Sequence, residues 1–547
     1  MVPSARKLAP HETRILVCDE LAPAALEVFR QRGYEPLVRV GLGEDGLLEH
    51  AAGAHAIVVR SATRITRRVL EAAHELRVVG RAGVGVDNVD CDAATERGIV
   101  VMNTPTGNTT TTGELAIALL CSLARHVPRA DRRVHAGAWS KQGLMGSELT
   151  GKQLGVIGLG RIGRVVAQRG RGLCMKVVAH DPYLSSAHAE PPLEGVELVE
   201  LDELLASSDF VTLHVPLLDS TRNLLSRERL ALLKPGARII NTARGGLIDE
   251  AALAEALAEG RVAGAALDVL AVEPPGPDHP LLGREDVILT PHLGASSAEA
   301  QHNVALGIAR QICDFFADGV AHNAVNAPAV AAGTLEKIAP YVLLAERLGS
   351  FLGQRMERAV QKLEVTLCGE IARQTRQDEG YVALSILVGL LRNSELGVNY
   401  VNAPLLAREK GIRVLEGSEE EAQYHRGLIE VRATSRDGKE THVVAGTVFG
   451  RTPKLVRIDD LHLDLEPRGP ILITLHRDQP GVLGKIGTLL GEARVNVHRV
   501  ELGASESGAA AGELASGFFS LDQKAPESVL RAIAALEPVE EVKQVEL

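Results

Sequence analysis

Several things are scarce in this chain. Its 6 cysteines (Cys18, Cys91, Cys121, Cys174, Cys313 and Cys368) are scattered and form no C-x-x-C pair. That argues against a zinc site or a disulfide framework and for free thiols in a reducing compartment. No apolar run approaches the length of about 20 residues that a membrane helix needs. A basic excess is also missing: 59 Lys and Arg stand against 70 Asp and Glu, a net charge of −11. The arginines are dispersed, so the electrostatic footprint of a nucleic-acid binder is absent. Aromatics are few, at 3%. Residues 1–13 carry Arg6, Lys7, His11 and prolines without an apolar segment, unlike a signal peptide. The expectation is a soluble cytoplasmic protein with no metal, no nucleic-acid partner and no membrane partner.

What is present points to several cores. A length of 547 residues suggests three or four domains, and 45% hydrophobic residues can fill them. Residues 14–105 alternate short apolar runs (14–18, 56–59, 77–80, 99–102) with helical stretches at 23–33 and 67–76, a small α/β domain. A long helix is expected over 112–133. Strand–helix alternation resumes with strands at 210–213, 238–241, 264–267 and 287–290 and a helix at 250–259. A helix over 297–318 would carry the chain back to the first domain, because connections prefer to be short. The domains expected are therefore 14–105 and 296–326 for one unit, with 106–295 inserted in it. An Ala/Pro/Gly-rich linker at 327–333 separates these from 334–466, a further α/β region with strands near 363–367, 429–434 and 440–448. Residues 470–547 read as βαββαβ, a ferredoxin-like order, with a Gly/Ala/Ser-rich loop at 503–512.

The inserted domain holds the sharpest motif. Gly158-Leu-Gly-Arg-Ile-Gly163 follows the apolar run Leu154-Gly-Val-Ile157 and opens a helix; a second apolar run then ends at Asp181. This is the pattern of a dinucleotide-binding βαβ unit. Gly158 permits the tight turn, Gly160 lets a pyrophosphate approach, and Gly163 lets helix and sheet pack. The helix N-terminus offers N–H groups to phosphates. Asp181 would accept from both ribose hydroxyls and repel a 2′-phosphate, which favours NAD over NADP.

Three polar residues stand just beyond apolar runs in the same domain: Arg244 in Asn241-Thr-Ala-Arg-Gly-Gly246, Glu273 before Pro274, and His292 in Thr290-Pro-His-Leu-Gly294. Ligands of open α/β sheets bind at the carboxyl ends of strands, so the three can converge on a nicotinamide. His292 has the chemistry of a general base for a hydroxyl proton. Glu273 can hold its imidazole, and Arg244 can grip a carboxylate bidentately.

On these motifs residues 14–325 resemble the D-isomer-specific 2-hydroxyacid dehydrogenase family; Gly80-Arg-Ala-Gly-Val-Gly-Val-Asp-Asn88, Asn103-Thr-Pro105 and Pro216-Leu217 add to the likeness. Val401-Asn-Ala-Pro404 resembles the intervening domain of its long-form phosphoglycerate branch. Asp478-Gln-Pro-Gly481 with Val495-Asn-Val497 resembles an ACT domain. The resemblance implies an α/β fold: a Rossmann-type doubly wound NAD domain inserted in a flavodoxin-like substrate domain, then an α+β intervening domain and a ferredoxin-like ACT domain. It implies a homo-oligomer (tetramer or dimer) and oxidation of 3-phosphoglycerate, an early step of serine synthesis. Arg244, Glu273 and His292 then take the catalytic roles. Gly158, Gly160, Arg161, Ile162, Gly163, Asp181, Thr242, Asp268, His292, Gly294 and Ala295 fall at cofactor positions. Arg60, Ser61, Arg81, Gly83, Asn108, Arg244 and His292 fall at substrate positions, and Lys141 matches a basic residue reaching a neighbouring subunit's site. His476, Asp478 and Asn496 match positions that bind the effector L-serine, with His476 standing where tyrosine is expected. Val84 and Cys174 also depart from the usual residues. Two other readings fit part of the pattern: a glyoxylate or hydroxypyruvate reductase, and a non-enzymatic NAD-sensing co-repressor. Both lack a counterpart to residues 330–547.

Overall fold

The computed structural model describes residues 8–184, 193–328, 332–376, 380–422, 425–503 and 514–547. The loop expected at 503–512, beyond Gly503, and part of the linker expected at 327–333 lie outside them.

The first sheet is parallel throughout, in the order Leu37–Val38, Ile15–Val17, Ala56–Val59, Val78–Arg81, Val100–Met102. This is the flavodoxin-like order 2-1-3-4-5. Its inner strands are buried on both faces, which is why they read as unbroken Val/Ile runs. The returning helix Ala298–Asp318 packs Val304, Ile308 and Ile312 into the same core as Ile15, Val58 and Val100. Gly80 makes room for it, since a Cβ there would lie 2.7 Å from Ile312 Cδ1. Asn326 then stitches the returning chain to the edge strand, accepting from the Val101 N–H and donating to the Ile99 carbonyl.

The second sheet is also parallel and runs Val287–Leu289, Val262–Leu267, Ala237–Asn241, Phe210–Leu213, Gln153–Ile157, Lys176–His180, Val196–Leu198. The strand order reverses between Gln153–Ile157 and Phe210–Leu213, the switch point of a doubly wound fold. One expectation fails here. The helix expected over 112–133 is two helices, Thr109–Arg125 and Val127–His135, because His126 takes a left-handed conformation (φ 54) just before Pro128. Proline cannot continue the upstream hydrogen-bond ladder, so the chain turns there.

The third sheet is mixed, in the order Arg413–Glu419, Val360–Gly369, Gly427–Ser435, Thr441–Phe449, Thr452–Ile458, Leu461–Leu465, with only the first pair parallel. Helices Ala332–Arg355 and Tyr381–Arg392 cover it and cross backbone to backbone. A Cβ on Gly349 would lie 1.9 Å from the Ile386 carbonyl oxygen, and one on Gly389 2.0 Å from that of Glu346. The edge strand Arg413–Glu419 escaped the sequence reading because all its residues are exposed, leaving no apolar alternation to see.

The fourth sheet is antiparallel, in the order Val497–Gly503, Leu514–Leu521, Pro470–Arg477, Val539–Glu546, the ferredoxin-like arrangement. One face meets its own helices through Leu472, Phe519, Ile486 and Ile533. Ile471, Ile473, Phe518 and Val545 on the other face join the core under the third sheet. A second junction ties this block to the first domain: Tyr400 lies in the core of the third sheet, whereas the next residue, Val401, is 3% exposed and lies in the core of the first. Asn399 Nδ2 donates to the Gly98 carbonyl at 2.8 Å beside it. Among the described residues no helix is long and apolar enough to cross a membrane.

Candidate active site

A cavity of about 490 Å³ opens between the first two sheets. It gathers Arg60, Ser61, Arg81, Gly83 and Asn108 from one side and Ile162, Thr242, Arg244, Glu273, His292, Gly294 and Ala295 from the other. Residues far apart in the chain, each expected at the site, thus meet in one cleft.

The acid–base pair is close. His292 Nδ1 lies 2.7 Å from Glu273 Oε2. A carboxylate only accepts, so Nδ1 carries the proton and Nε2 is left for a substrate hydroxyl. Glu273 is itself held, because its other oxygen accepts from the Leu270 N–H at 3.0 Å. The loop beneath is fixed by Glu250, which accepts from the Ala271 N–H and meets His279 Nε2 at 2.8 Å. Gly245 lets the Arg244 loop press on it, since a Cβ there would lie 1.9 Å from the Leu270 carbonyl oxygen. Asn241 closes the Arg244 loop, donating to the Arg244 carbonyl and accepting from the Ala243 N–H.

His292 sits on strained backbone, with φ 55. Asp268 supplies what holds it. Its carbonyl accepts from the His292 N–H, and its carboxylate from Thr290 Oγ1 and the N–H groups of Leu293 and Gly294. Burial pushes the Asp268 carboxyl above its ordinary range against the pull of these hydrogen bonds. Asp268, expected as a cofactor contact, clamps the loop that presents His292.

On the opposite wall, Asn103 donates to the Val84 carbonyl and Thr104 to that of Gly83, tying the substrate loop to the strand Val100–Met102. Asn88 donates to the carbonyls of Arg60 and Thr63, and Asp19 accepts from the Arg60 N–H. Burial lowers the Arg81 pKa, and nearby Arg244 adds to the effect. The motifs over 80–88 and 103–105 marked Asn88, Asn103 and Thr104 without giving them a role, and Asp19 was missed, because their partners lie on other segments.

The glycine turn fits a dinucleotide. Gly158 has φ 90, and a Cβ on Gly163 would lie 2.0 Å from the Gly158 carbonyl oxygen, whereas a Cβ on Gly160 would meet nothing within 4 Å. The helix Arg161–Gly172 has no side-chain cap at Gly160, so its first N–H groups are left for phosphate. Asp181 ends the neighbouring strand beside this turn and accepts from the Leu159 N–H at 2.9 Å. Thr242 Oγ1 and Asn108 Oδ1 are buried without a protein partner in the same cleft.

Four expected residues lie elsewhere in the chain. Lys141 is on an exposed loop away from this cavity. Asp478 and Asn496 are exposed beside the fourth sheet, while His476 is buried at 3%, with Nδ1 against Thr474 Oγ1. Burial lowers the His476 pKa.

Residues 117–294 match the family model described as D-isomer specific 2-hydroxyacid dehydrogenase, NAD binding domain; 337–459 match the D-3-phosphoglycerate dehydrogenase intervening domain, and 471–538 the ACT domain. Among solved structures the chain is similar to a glyoxylate reductase from Paecilomyes thermophila (TM-score 0.52, 31% identity, 58% of this chain and 99% of that one). It is also similar to an NAD-dependent formate dehydrogenase from Staphylococcus aureus in complex with NAD (TM-score 0.50, 30% identity, 56% and 96%). Fold, cleft and likenesses together define an NAD-dependent oxidoreductase of the D-2-hydroxyacid dehydrogenase class. The full-length relatives narrow this. The chain is 40% identical to the D-3-phosphoglycerate dehydrogenase of Archaeoglobus fulgidus over 98% of its own length and 100% of that protein, and 42% identical to that of Mycobacterium bovis over 95% and 97%. It belongs to the D-3-phosphoglycerate dehydrogenase family.

Proposed function

We propose that this chain oxidises 3-phospho-D-glycerate to 3-phosphohydroxypyruvate with NAD, the first committed step of L-serine biosynthesis, and that L-serine regulates it through the ACT domain. The observation that carries the reading is the His292–Glu273 pair at 2.7 Å in a cavity that also holds Arg244, Arg60 and Arg81. NAD, when bound, supplies the acceptor for the hydride that leaves the carbinol carbon. His292 Nε2 takes the hydroxyl proton, and Glu273 stabilises the imidazolium that results. Arg244 holds the substrate carboxylate and polarises the neighbouring oxygen as it becomes a carbonyl. Arg60 and Arg81 neutralise the phosphate, a need that a simpler hydroxy acid lacks.

Gly158, Gly160 and Gly163 with Arg161 and Ile162 take the pyrophosphate, Asp181 the ribose hydroxyls, and Thr242, Gly294 and Ala295 the nicotinamide end. Asp268 acts by holding the His292 loop. The active form is a homo-oligomer, tetramer or dimer, in which Lys141 reaches a neighbour's cleft. At the ACT surface the accessible polar groups for serine are Asp478 and Asn496. His476 stands buried behind them. Initial rates of NADH formation with 3-phosphoglycerate, D-glycerate and glycolate, and of NADH consumption with glyoxylate, with and without L-serine, test the reading. Preference for an unphosphorylated acid rejects the substrate, and a lack of both serine binding and serine inhibition rejects the regulation.

A further inference from the structure

Arg244 is not free in the cleft. Its Nε lies 3.4 Å from Asp87 Oδ2, an ion pair between the NAD domain and the loop after Val78–Arg81 in the substrate domain. Gly85 lies against the pair: a Cβ there would lie 2.2 Å from Arg244 Nη2 and 2.6 Å from Asp87 Oδ2, so a larger residue would displace the ends of both side chains. Arg244 Nη1 also donates to the Ala243 carbonyl at 2.7 Å, which orients the guanidinium. Nearby, the Asp19 carboxylate is committed to the Arg60 and Thr63 N–H groups and to Thr63 Oγ1. Asp87 is therefore the carboxylate that meets Arg244, and at 72% side-chain exposure it can withdraw into water.

We infer that Asp87 is a positioning and affinity-setting residue: it pairs with Arg244 and is exchanged for the substrate carboxylate. The inference rests on the carboxylate-binding role proposed for Arg244. The exchange swaps one carboxylate for another on the same guanidinium, so a ligand whose only anionic group is a carboxylate gains little from it. A ligand with a second anionic group also engages Arg60 and Arg81, and that surplus carries its binding. Asp87 thus raises the KM of every 2-hydroxy acid by a common factor, and phosphorylated acids still saturate the enzyme.

The test is steady-state kinetics of Asp87→Asn and Asp87→Glu at saturating NAD, with 3-phosphoglycerate as substrate and D-glycerate as substrate or competitive inhibitor. In the Asn variant the KM for 3-phosphoglycerate and the constant for D-glycerate both fall by the same factor, about two- to five-fold, the range of exposed ion pairs. The split is diagnostic: kcat stays within about two-fold, because the pair is broken before chemistry begins. Asp87→Glu stays near the wild-type values. Unchanged constants in the Asn variant overturn the inference, as does a fall in kcat without a fall in KM. Should Asp87→Asn fail to fold, Asp87→Ser gives the same readout. Arg244→Gln run in parallel keeps the two ideas apart: if it leaves KM and kcat intact, the role of Arg244 is wrong. If it is impaired while Asp87→Asn is silent, only the role of Asp87 is wrong.

Discussion

Across the active-site cleft the two catalytic domains meet through groups that water can reach: Arg244 and Asp87 are 27% and 72% exposed in their side chains. Between the intervening and ACT regions the contact is of the opposite kind. Ile471, Ile473, Phe518 and Val545 lie in one cluster with Leu344, Leu348, Val431 and Leu455, each at most 9% exposed. Arg355 Nη1 donates to Glu541 at 2.6 Å, Lys543 Nζ donates to the Arg355 carbonyl, and Gln354 and Glu546 exchange hydrogen bonds at its rim. Burial of each such apolar side chain is worth about 1.5–3 kcal/mol, whereas an exposed ion pair contributes about 1 kcal/mol or less. The cleft is thus the weaker joint, and the C-terminal half is one body with a shared core. An effector on the ACT face would move that body as a unit, and Val401 is where the unit grips the substrate domain, beside the strand that carries Asn103 and Thr104 towards Gly83 and Val84.

The contrast can be broken most severely in the cleft. His292→Asn lowers kcat by about two to four orders of magnitude, the usual share of a general base, while the thermal unfolding midpoint barely moves. Near-wild-type turnover in that variant would remove His292 from the mechanism. Gly349→Ala does the reverse: its Cβ meets backbone at 1.9 Å, so the helix pair must separate, at a cost of about 1–3 kcal/mol. Calorimetry should show the C-terminal transition shifted down with the catalytic-half transition unmoved; a common shift of both would mean that the halves unfold together.

Val401→Ala tests the grip between them. Loss of two buried methyl groups costs about 1.6 kcal/mol, and serine should still bind at the ACT face while its effect on NADH formation shrinks. Retention of full serine inhibition would place the coupling elsewhere.

The smallest effect concerns acid. Burial pushes the Asp459 and Glu440 carboxyls up, but the hydrogen bond from His442 and backbone N–H groups outweigh it, so both end below their ordinary values of 3.8 and 4.5. A carboxyl with a depressed folded pKa stabilises the fold when ionised. That contribution is complete above the ordinary value and is lost as pH falls through the depressed one. Below pH ~4 the C-terminal transition should therefore weaken, and Asp459→Asn should flatten that pH dependence. An unaltered slope in the variant would count against the assignment.

Much of this was legible in the chain. The inner parallel strands announced themselves because burial on both faces demands unbroken apolar runs, and the glycine turn because only glycine fits φ 90 at Gly158. Arg244, Glu273 and His292 were legible because each follows an apolar run in a domain marked by that turn. The break at His126 was misread although Pro128 stood beside it, since the apolar periodicity continues through the turn. The strand Arg413–Glu419 carried little signal, because every residue of this edge strand is exposed; Leu461–Leu465 does alternate, as Leu-His-Leu-Asp-Leu, but over too few residues to stand out.

The sequence by itself determined the class of chemistry, the cofactor turn and the two added domains, all of which rest on short-range patterns that physics ties to one local geometry. Only the tertiary structure decided that Asp268 clamps the His292 loop, that Asp87 faces Arg244, and that Tyr400 and Val401 anchor in different cores. Those contacts join segments distant in the chain. Their partners are chosen by the packing of whole sheets, which no local spacing encodes.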